Sequence, residues 1–507
     1  MELLDNLMMG LRVASEPITL AYCFFGVFLG TLVGVLPGIG ALAAISLLLP
    51  ITYHIPPTAA IIMLAGVYYG AQYGGSTAAI LLNLPGTPSS AVTCLDGYPL
   101  AKKGRSGLAL FVTTIASLVG AMSGLVMLVL FSPLIADIGL KFGPAEFFSM
   151  MVLGLVAASS MSTGSAAKGL AMVVFGLLLG MVGTDVNSGV ARYHFGVPEL
   201  MDGINLVALA MGLFGVAEVV RCINSVDTDR QPENITMRAM MPSREEFKAT
   251  VAPMLRGSAL GSALGALPGV GPSIAAFMAY AIEKRVAKDP SRFGHGAIEG
   301  ISAPESANNA SAQTAFVPSL SLGIPGDAVM AVMLGALIIH GITPGPMLMT
   351  EQPELFWGLV VSFMIGNIML VLLNIPTIGL WVALLRIPFA WMYPAILVFV
   401  ALGVYSVNNN EFDIYMVALL GILGYGLMVL RFEPAPLLLG YILGPMVEEN
   451  LRRALLLSRG DPGVFLDRPI SASLLGITAL LLAWAIWSTV RKSLKARNEL
   501  RAAEARA

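Results

Sequence analysis

Two stretches, Gly34-Val35-Leu36-Pro37-Gly38-Ile39-Gly40 and Gly265-Ala266-Leu267-Pro268-Gly269-Val270-Gly271, interrupt apolar sequence in the same way, 231 residues (265 − 34) apart. Proline lacks a backbone donor and glycine has no side chain to restrict the backbone, so each stretch breaks a helix. A break at membrane depth leaves backbone groups unpaired, which is tolerated only inside protein or along a cavity. Breaks at corresponding places in two halves point to a transporter's binding site.

The surrounding composition puts the breaks in a membrane. The 507 residues are 56% hydrophobic and only 12% charged, against roughly 25% charge in soluble domains, and the mean hydropathy is +0.80. Apolar stretches of membrane-spanning or re-entrant length fall near 17–36, 39–52, 57–84, 107–135, 145–160, 166–184 and 201–221. They resume near 252–267, 271–284, 299–323, 325–349, 355–381, 387–407, 413–430, 434–447 and 470–489. The expected fold is an all-α polytopic membrane protein with about 12 transmembrane helices, some broken or re-entrant. The polar segment 221–250 reads as a linker between a first membrane repeat, 1–220, and a second, 251–468. A final transmembrane helix and a basic cytoplasmic tail occupy 469–507. The N-terminal MELLDNLMMG has no basic region of the kind that opens a cleaved signal peptide.

A second Pro-Gly pair strengthens the repeat. Asn83-Leu84-Pro85-Gly86-Thr87-Pro88 finds its counterpart in Gly323-Ile324-Pro325-Gly326-Asp327, offset by 240 (325 − 85). Loop charges swap between the halves. In the first half the loop after the second break is basic (Lys102, Lys103, Arg105), whereas in the second half the basic loop follows the first break (Lys284, Arg285, Lys288, Arg292). Basic loops stay cytoplasmic, so equivalent loops lie on opposite sides, as an inverted repeat requires. The segment 448–468 cuts against this scheme, because its four arginines would lie outside.

Polar side chains at membrane depth face a cavity, a neighbouring helix or a ligand. Ser76, Thr77, Thr87 and Ser89 surround the first half's second break, and Glu305, Asn308, Asn309, Gln313 and Asp327 surround its counterpart. Neutral donors and helix N-termini suit a carboxylate, and backbone carbonyls suit Na⁺. The expected substrate site comprises Gly38, Gly40, Ser76, Thr77, Pro85, Gly86, Thr87, Ser89, Gly269, Gly271, Ser273, Asn309, Pro325 and Gly326. The expected ion site comprises Asn83, Asn308, Gln313 and Asp327. The same small polar residues could instead hold helices together. No HExxH, GxSxG or Walker A sequence is present, so no enzymatic activity or ATP hydrolysis is expected. The scattered histidines and three cysteines form no metal set, and a net charge of −2 argues against nucleic acid.

The runs GVLPGIGALAAISLLLP, YYGAQYGGSTAAILLNLPGTPSSAVTCLDGYPLAKKGRSG and PESANNASAQTAFVPSLSLGIPGDAVMAVMLGALIIHGITPGP, with LGPMVEENLRRALLLSRGD later, resemble the large membrane subunit of tripartite tricarboxylate transporters, the TctA family. The resemblance covers about residues 15 to 490. It implies a multi-pass protein of the bacterial inner membrane that takes up di- and tricarboxylates. It also implies two partners, a small four-helix membrane subunit (TctB-like) and a periplasmic solute-binding protein (TctC-like). Uptake would be secondary, driven by Na⁺ or H⁺, with no cofactor. An elevator-like movement of the break-bearing bundle is the expected motion. A passive channel and a non-transporting assembly subunit are the alternatives.

Overall fold

A computed structural model describes residues 2–36, 40–139, 141–159, 166–185, 188–222, 235, 237–267, 270–385, 389–484 and 487. The protein is all-α. Among the described residues the only sheet is a two-stranded hairpin, Gly183–Thr184 against Ala191–Arg192. Among the described residues, four helical segments are long and apolar enough to cross a membrane: Pro17–Val35, Cys94–Leu134, Pro353–Asn374 and Glu411–Val429. Shorter apolar helices include Gly40–Thr52, Pro144–Val156, Ala167–Gly180, Ala328–Ile339, Ile396–Asn408 and Pro469–Trp484. The four long segments carry exposed Phe24, Phe25, Leu130, Phe131, Leu372 and Leu419, which suits contact with acyl chains.

Two compact units interleave along the chain. One comprises residues 1–140 and 206–425, the other 141–205 and 426–507. The expected division at 1–220, 221–250 and 251–468 concerns sequence correspondence, which is a different property from compactness. Within the expected linker, a helix already begins at Arg244 and runs to Gly265. A further helix not anticipated from the sequence, Glu2–Ala14, packs along Pro353–Asn374.

Glycine sets the packing of the larger unit. Helix Pro17–Val35 crosses Pro57–Leu82 with Gly26, Gly30 and Gly34 against the backbone at Met63, Val67 and Ala71, and Gly66, Gly70 and Gly74 answer from the other side. The same crossing recurs 231 residues later, where Gly257, Gly261 and Gly265 of helix Arg244–Gly265 meet Ala303, Ala307 and Ser311 of helix Glu299–Thr314. Lipid is as apolar as leucine, so helices in a bilayer gain most from close van der Waals approach, and small residues every fourth position permit it.

The contacts between the halves are reciprocal. Gly40–Thr52, which follows the first break, packs on Ala328–Ile339, which follows the last one. Gly271–Val286 packs on the short 3-10 helix Pro88–Ala91 in the converse way. Likewise Ser106–Gly139 lies on Glu299–Thr314, and Pro353–Asn374 lies on Pro57–Leu82.

Helix Arg244–Gly265 opens with a capping box. Ser243 Oγ accepts from the Glu246 N–H at 3.2 Å, and Glu246 Oε2 accepts from the Ser243 N–H at 2.8 Å. Arg105 also pairs with Glu246 and, with the Ser243 bonds, holds its carboxyl at about 2, below its ordinary 4.5. A depressed carboxyl stabilises the fold above its ordinary range and loses that contribution as pH falls toward 2. Ser243→Ala is expected to cost about 1 kcal/mol. Glu246→Gln should flatten the fall in melting temperature between pH 5 and 2, by a modest amount because the pair is partly exposed. An acid limb as steep as the wild type's would refute the assignment.

In the smaller unit, helix Pro144–Ser159 packs on Ala166–Gly180 and on Pro434–Leu457. Three of the four arginines in 448–468 are ion-paired: Arg452 with Asp185 at 3.1 Å and with Glu448 at 2.6 Å, Arg453 with Glu449, and Arg468 with Glu146.

Candidate functional site

The breaks end and restart helices where the prolines and glycines dictate. Pro17–Val35 ends at Leu36, and the next helix starts at Gly40, whose φ of +65° only glycine adopts readily. Gly271 starts Gly271–Val286 with φ +64°. Gly38 and Gly269 lie outside the described residues. The second breaks also match. Pro57–Leu82 closes on Asn83 in the left-handed region (φ 59°), and Phe316–Leu322 closes on Gly323 in the same conformation (φ 70°). Asn83 is exposed. After one further residue and Pro-Gly, each half starts a new helix behind a capping residue, Thr87 in one and Asp327 in the other.

Within each half the two breaks come together. A Cβ on Gly40 would lie 4.0 Å from the Gly86 carbonyl oxygen, and one on Gly271 would lie 3.1 Å from Asp327 Cβ. The Gly86 N–H donates to the Gly75 carbonyl at 3.4 Å, and the Gly326 N–H donates to Ser319 Oγ at 3.4 Å. Pro325 and Gly326 are buried, whereas Pro85 is exposed and Ser273 half-buried.

Two buried helices hold the loops. Pro57–Leu82 is buried continuously from Ala59 to Ile80. Its Gln72 Oε1 accepts from Ser89 Oγ at 2.5 Å and Thr87 Oγ1 at 3.4 Å, so one carboxamide fastens the first half's second break. Thr77 is buried alongside. Tyr68 of the same helix donates to Asp327 Oδ2 in the other half, and Asp327 Oδ1 caps its helix by accepting from the Met330 N–H at 2.8 Å.

Glu299–Thr314 is the more unusual element, buried from Gly300 to Thr314 although it carries Glu305, Asn308, Asn309 and Gln313. Glu305 is fully buried and accepts from Thr93 Oγ1, from Asn308 Nδ2 at 3.3 Å and from Ser117 Oγ at 3.5 Å. Ser76 adds a further hydrogen bond to the same carboxylate. Asn309 Nδ2 donates to Ser117 Oγ at 2.8 Å and to the Glu305 carbonyl at 3.0 Å. Among the described residues, no ion pair reaches Glu305 or Asp327. Nor does any group of three or more His, Cys, Asp or Glu side chains form a metal centre among them.

Asp96 makes a further link between the halves. Its Oδ1 accepts from the N–H groups of Gly294, Gly296 and Ala297 at 2.7 to 2.9 Å, and its Oδ2 accepts from the Tyr280 hydroxyl at 2.9 Å. Gln72, Tyr68, Thr93, Asp96 and Ser117 therefore join the residues expected from the sequence. Gln72 and Tyr68 stand in the polar run before Ser76, but nothing in the sequence marks Thr93, Asp96 or Ser117 as their partners. Of the side chains expected at the site, Ser76 and Thr77 lie on the first of the two buried helices, with Thr87 and Ser89 held against it, and Asn308, Asn309 and Gln313 lie on the second.

The family model described as the tripartite tricarboxylate transporter TctA family matches residues 20–439. A relative from Agrobacterium vitis, the "uncharacterized 52.8 kDa protein in TAR-I ttuC' 3'region", is 50% identical over 491 residues, which covers 97% of this chain and 98% of that one. A second from the same organism, the "uncharacterized protein in TAR-II ttuC' 3'region", is 55% identical over 221 residues, covering 44% of this chain and 91% of that one. No solved structure matches the chain. The chain belongs to the tripartite tricarboxylate transporter TctA family and, as its apolar helices require, is a multi-pass membrane component of a multi-part transporter.

Proposed function

We propose that the chain is the carrier subunit of an ion-coupled uptake system for di- and tricarboxylates in the bacterial inner membrane. A periplasmic binding protein delivers substrate, and a small four-helix membrane subunit completes the complex. The observation that carries this reading is the meeting of two helix breaks within each half, beside buried helices rich in neutral donors. Free backbone N–H groups and hydroxyls recognise carboxylates without buried cationic side chains. Ser76, Thr77, Thr87, Ser89, Ser273 and Asn309 supply the polar groups. The backbone at Gly40, 85–86, Gly271 and 325–326 supplies the close approach. Asn308, Gln313, Asp327 and the exposed Asn83 offer oxygens to a coupling cation.

About twelve crossings arranged as two inverted repeats fit the reciprocal packing of break-bearing helices and the 231-residue recurrence of the glycine crossing. Such a repeat places a site near the midplane and lets one bundle move against the rest, in an elevator-like motion.

The test is uptake into proteoliposomes holding the chain with its partner subunit and binding protein, across a panel of organic acids and under imposed Na⁺ or pH gradients. Saturable carboxylate uptake requiring both the binding protein and one of the gradients is expected. Non-saturating flux without the binding protein indicates a channel, and no flux under any gradient indicates an assembly subunit.

A further inference from the structure

We propose that Glu305 is the centre of a monovalent-cation site, with Na⁺ as the cation, formed with Thr93, Ser117, Asn308 and Asn309 and bordered by Gln313. The site deepens the carrier reading above, on which only the cation's coupling role rests; binding itself stands on the geometry below.

A carboxylate buried without a charged partner is strongly disfavoured unless a proton or a cation neutralises it. Glu305 is in this position, since every hydrogen-bond partner it has is neutral. A proton would answer the carboxylate alone, but the neighbourhood has a second deficit. Among the described residues no donor reaches the buried Asn309 Oδ1, and neither polar atom of the Gln313 carboxamide one turn further on has a hydrogen-bond partner. Rotating Asn309 does not repair this. Its Nδ2 already faces the Asn308 Oδ1 and the Glu305 carbonyl, so a flip would set oxygen against oxygen there, while the Ser117 hydroxyl that also accepts from Nδ2 gives its own proton to Glu305. A buried carboxamide oxygen left without a partner costs about 1–3 kcal/mol. One hard cation drawing on oxygen ligands satisfies both the carboxylate and the orphaned oxygen.

The charge selects the valence. A single carboxylate among neutral oxygens balances one positive charge, whereas a divalent ion would leave a buried excess of +1. The depth is also suitable. Ser117 lies near the middle of the apolar membrane-spanning segment Cys94–Leu134. Asp327 is the weaker candidate, because it is half-buried and caps the N-terminus of helix Ala328–Ile339, whose dipole stabilises its charge.

The links to Thr93 and Ser117 also say what binding does. Thr93 follows the first half's second break, Ser117 lies in the long helix after it, and Glu305 lies in the second half. A cation held by all three ties the halves together at the substrate loops, so its binding and the carboxylate's are coupled reciprocally.

The experiment measures thermal unfolding of the full-length chain in lipid nanodiscs, titrating NaCl against choline chloride at constant ionic strength. A saturable rise in melting temperature with sodium is expected. Glu305→Gln and, separately, Asn309→Ala are each expected to lose that rise, and Glu354→Gln, at an exposed pair with Arg12, to retain it. The absence of a sodium-specific rise in the wild type overturns the proposal. So does an undiminished rise in both Glu305→Gln and Asn309→Ala, or a rise lost only in Glu354→Gln. The transport assay separates the two readings. Carboxylate uptake with no sodium-specific stabilisation leaves the carrier and removes the site; stabilisation without any uptake does the converse.

Discussion

Gln72→Leu is expected to lower carboxylate uptake at subsaturating substrate by about 100-fold while leaving the protein folded in the membrane. Gln72 Oε1 is the acceptor for Ser89 and Thr87 on the loop at the first half's second break. Leucine has a similar volume but accepts nothing, which leaves two buried hydroxyls to satisfy. Thr87 and Ser89 lie 3.0 Å apart and can partly pair with each other. With that relief, loss of the acceptor costs about 3 kcal/mol at about 1–3 kcal/mol per unsatisfied group, and each 1.4 kcal/mol is worth about tenfold in binding. The helix itself keeps its glycine crossing, so the damage is confined to the loop. Gln72→Glu separates loop bracing from anion recognition. Its carboxylate accepts the same two hydrogen bonds but repels an anionic substrate, so KM should rise while the melting temperature stays near that of the wild type. Uptake kinetics matching the wild type in both variants would remove this loop from the substrate site.

Gly261→Leu acts on the fold as a whole, and little monodisperse protein is expected after extraction. A Cβ at Gly261 would fall on the backbone of Ala307, which has no side chain that could move aside. The two helices must then separate along the seam that also carries Ser306, Ser311 and Thr314. Ordinary overpacking costs about 1–3 kcal/mol; here the obstacle is main chain, so the loss lies at or beyond that range. Gly30→Leu, at the corresponding crossing against Val67, should behave alike. Gly476→Leu is the control, because nothing lies within 4 Å of a Cβ there. Size-exclusion profiles and melting temperatures of the three variants in detergent decide the matter. A Gly261→Leu protein as stable as the Gly476→Leu protein would contradict the crossing.

Some of this molecule is readable from short windows of sequence. Proline and glycine act on their own turn of chain, so the breaks at 37–40, 85–86, 268–271 and 325–326 are visible as text. The ends of the helices on either side agree with them: Leu36 and Asn83 in the first half, Ala266 and Gly323 in the second. Apolar runs of bilayer length are visible for the same reason. Helix Glu2–Ala14 was not, because its acidic and methionine-rich sequence is shorter than a membrane span. It is held by packing, with Gly10 against the backbone of Trp357 and Arg12 paired with Glu354 at 3.1 Å.

The sequence by itself determined that this is an all-α membrane protein, where its helices break, and which polar residues lie near the breaks. Hydropathy, missing donors and backbone freedom are local properties, and each leaves its mark within a few residues. Only the tertiary structure decided which of those residues meet. Tyr68 reaches Asp327 across 259 positions, Thr93 reaches Glu305 across 212, and Asp96 gathers three N–H groups about 200 residues away. Such pairings depend on how closely and at what angle helices cross. In a medium that gives helices no hydrophobic reason to associate, that is set by the fit of one glycine-lined surface to another.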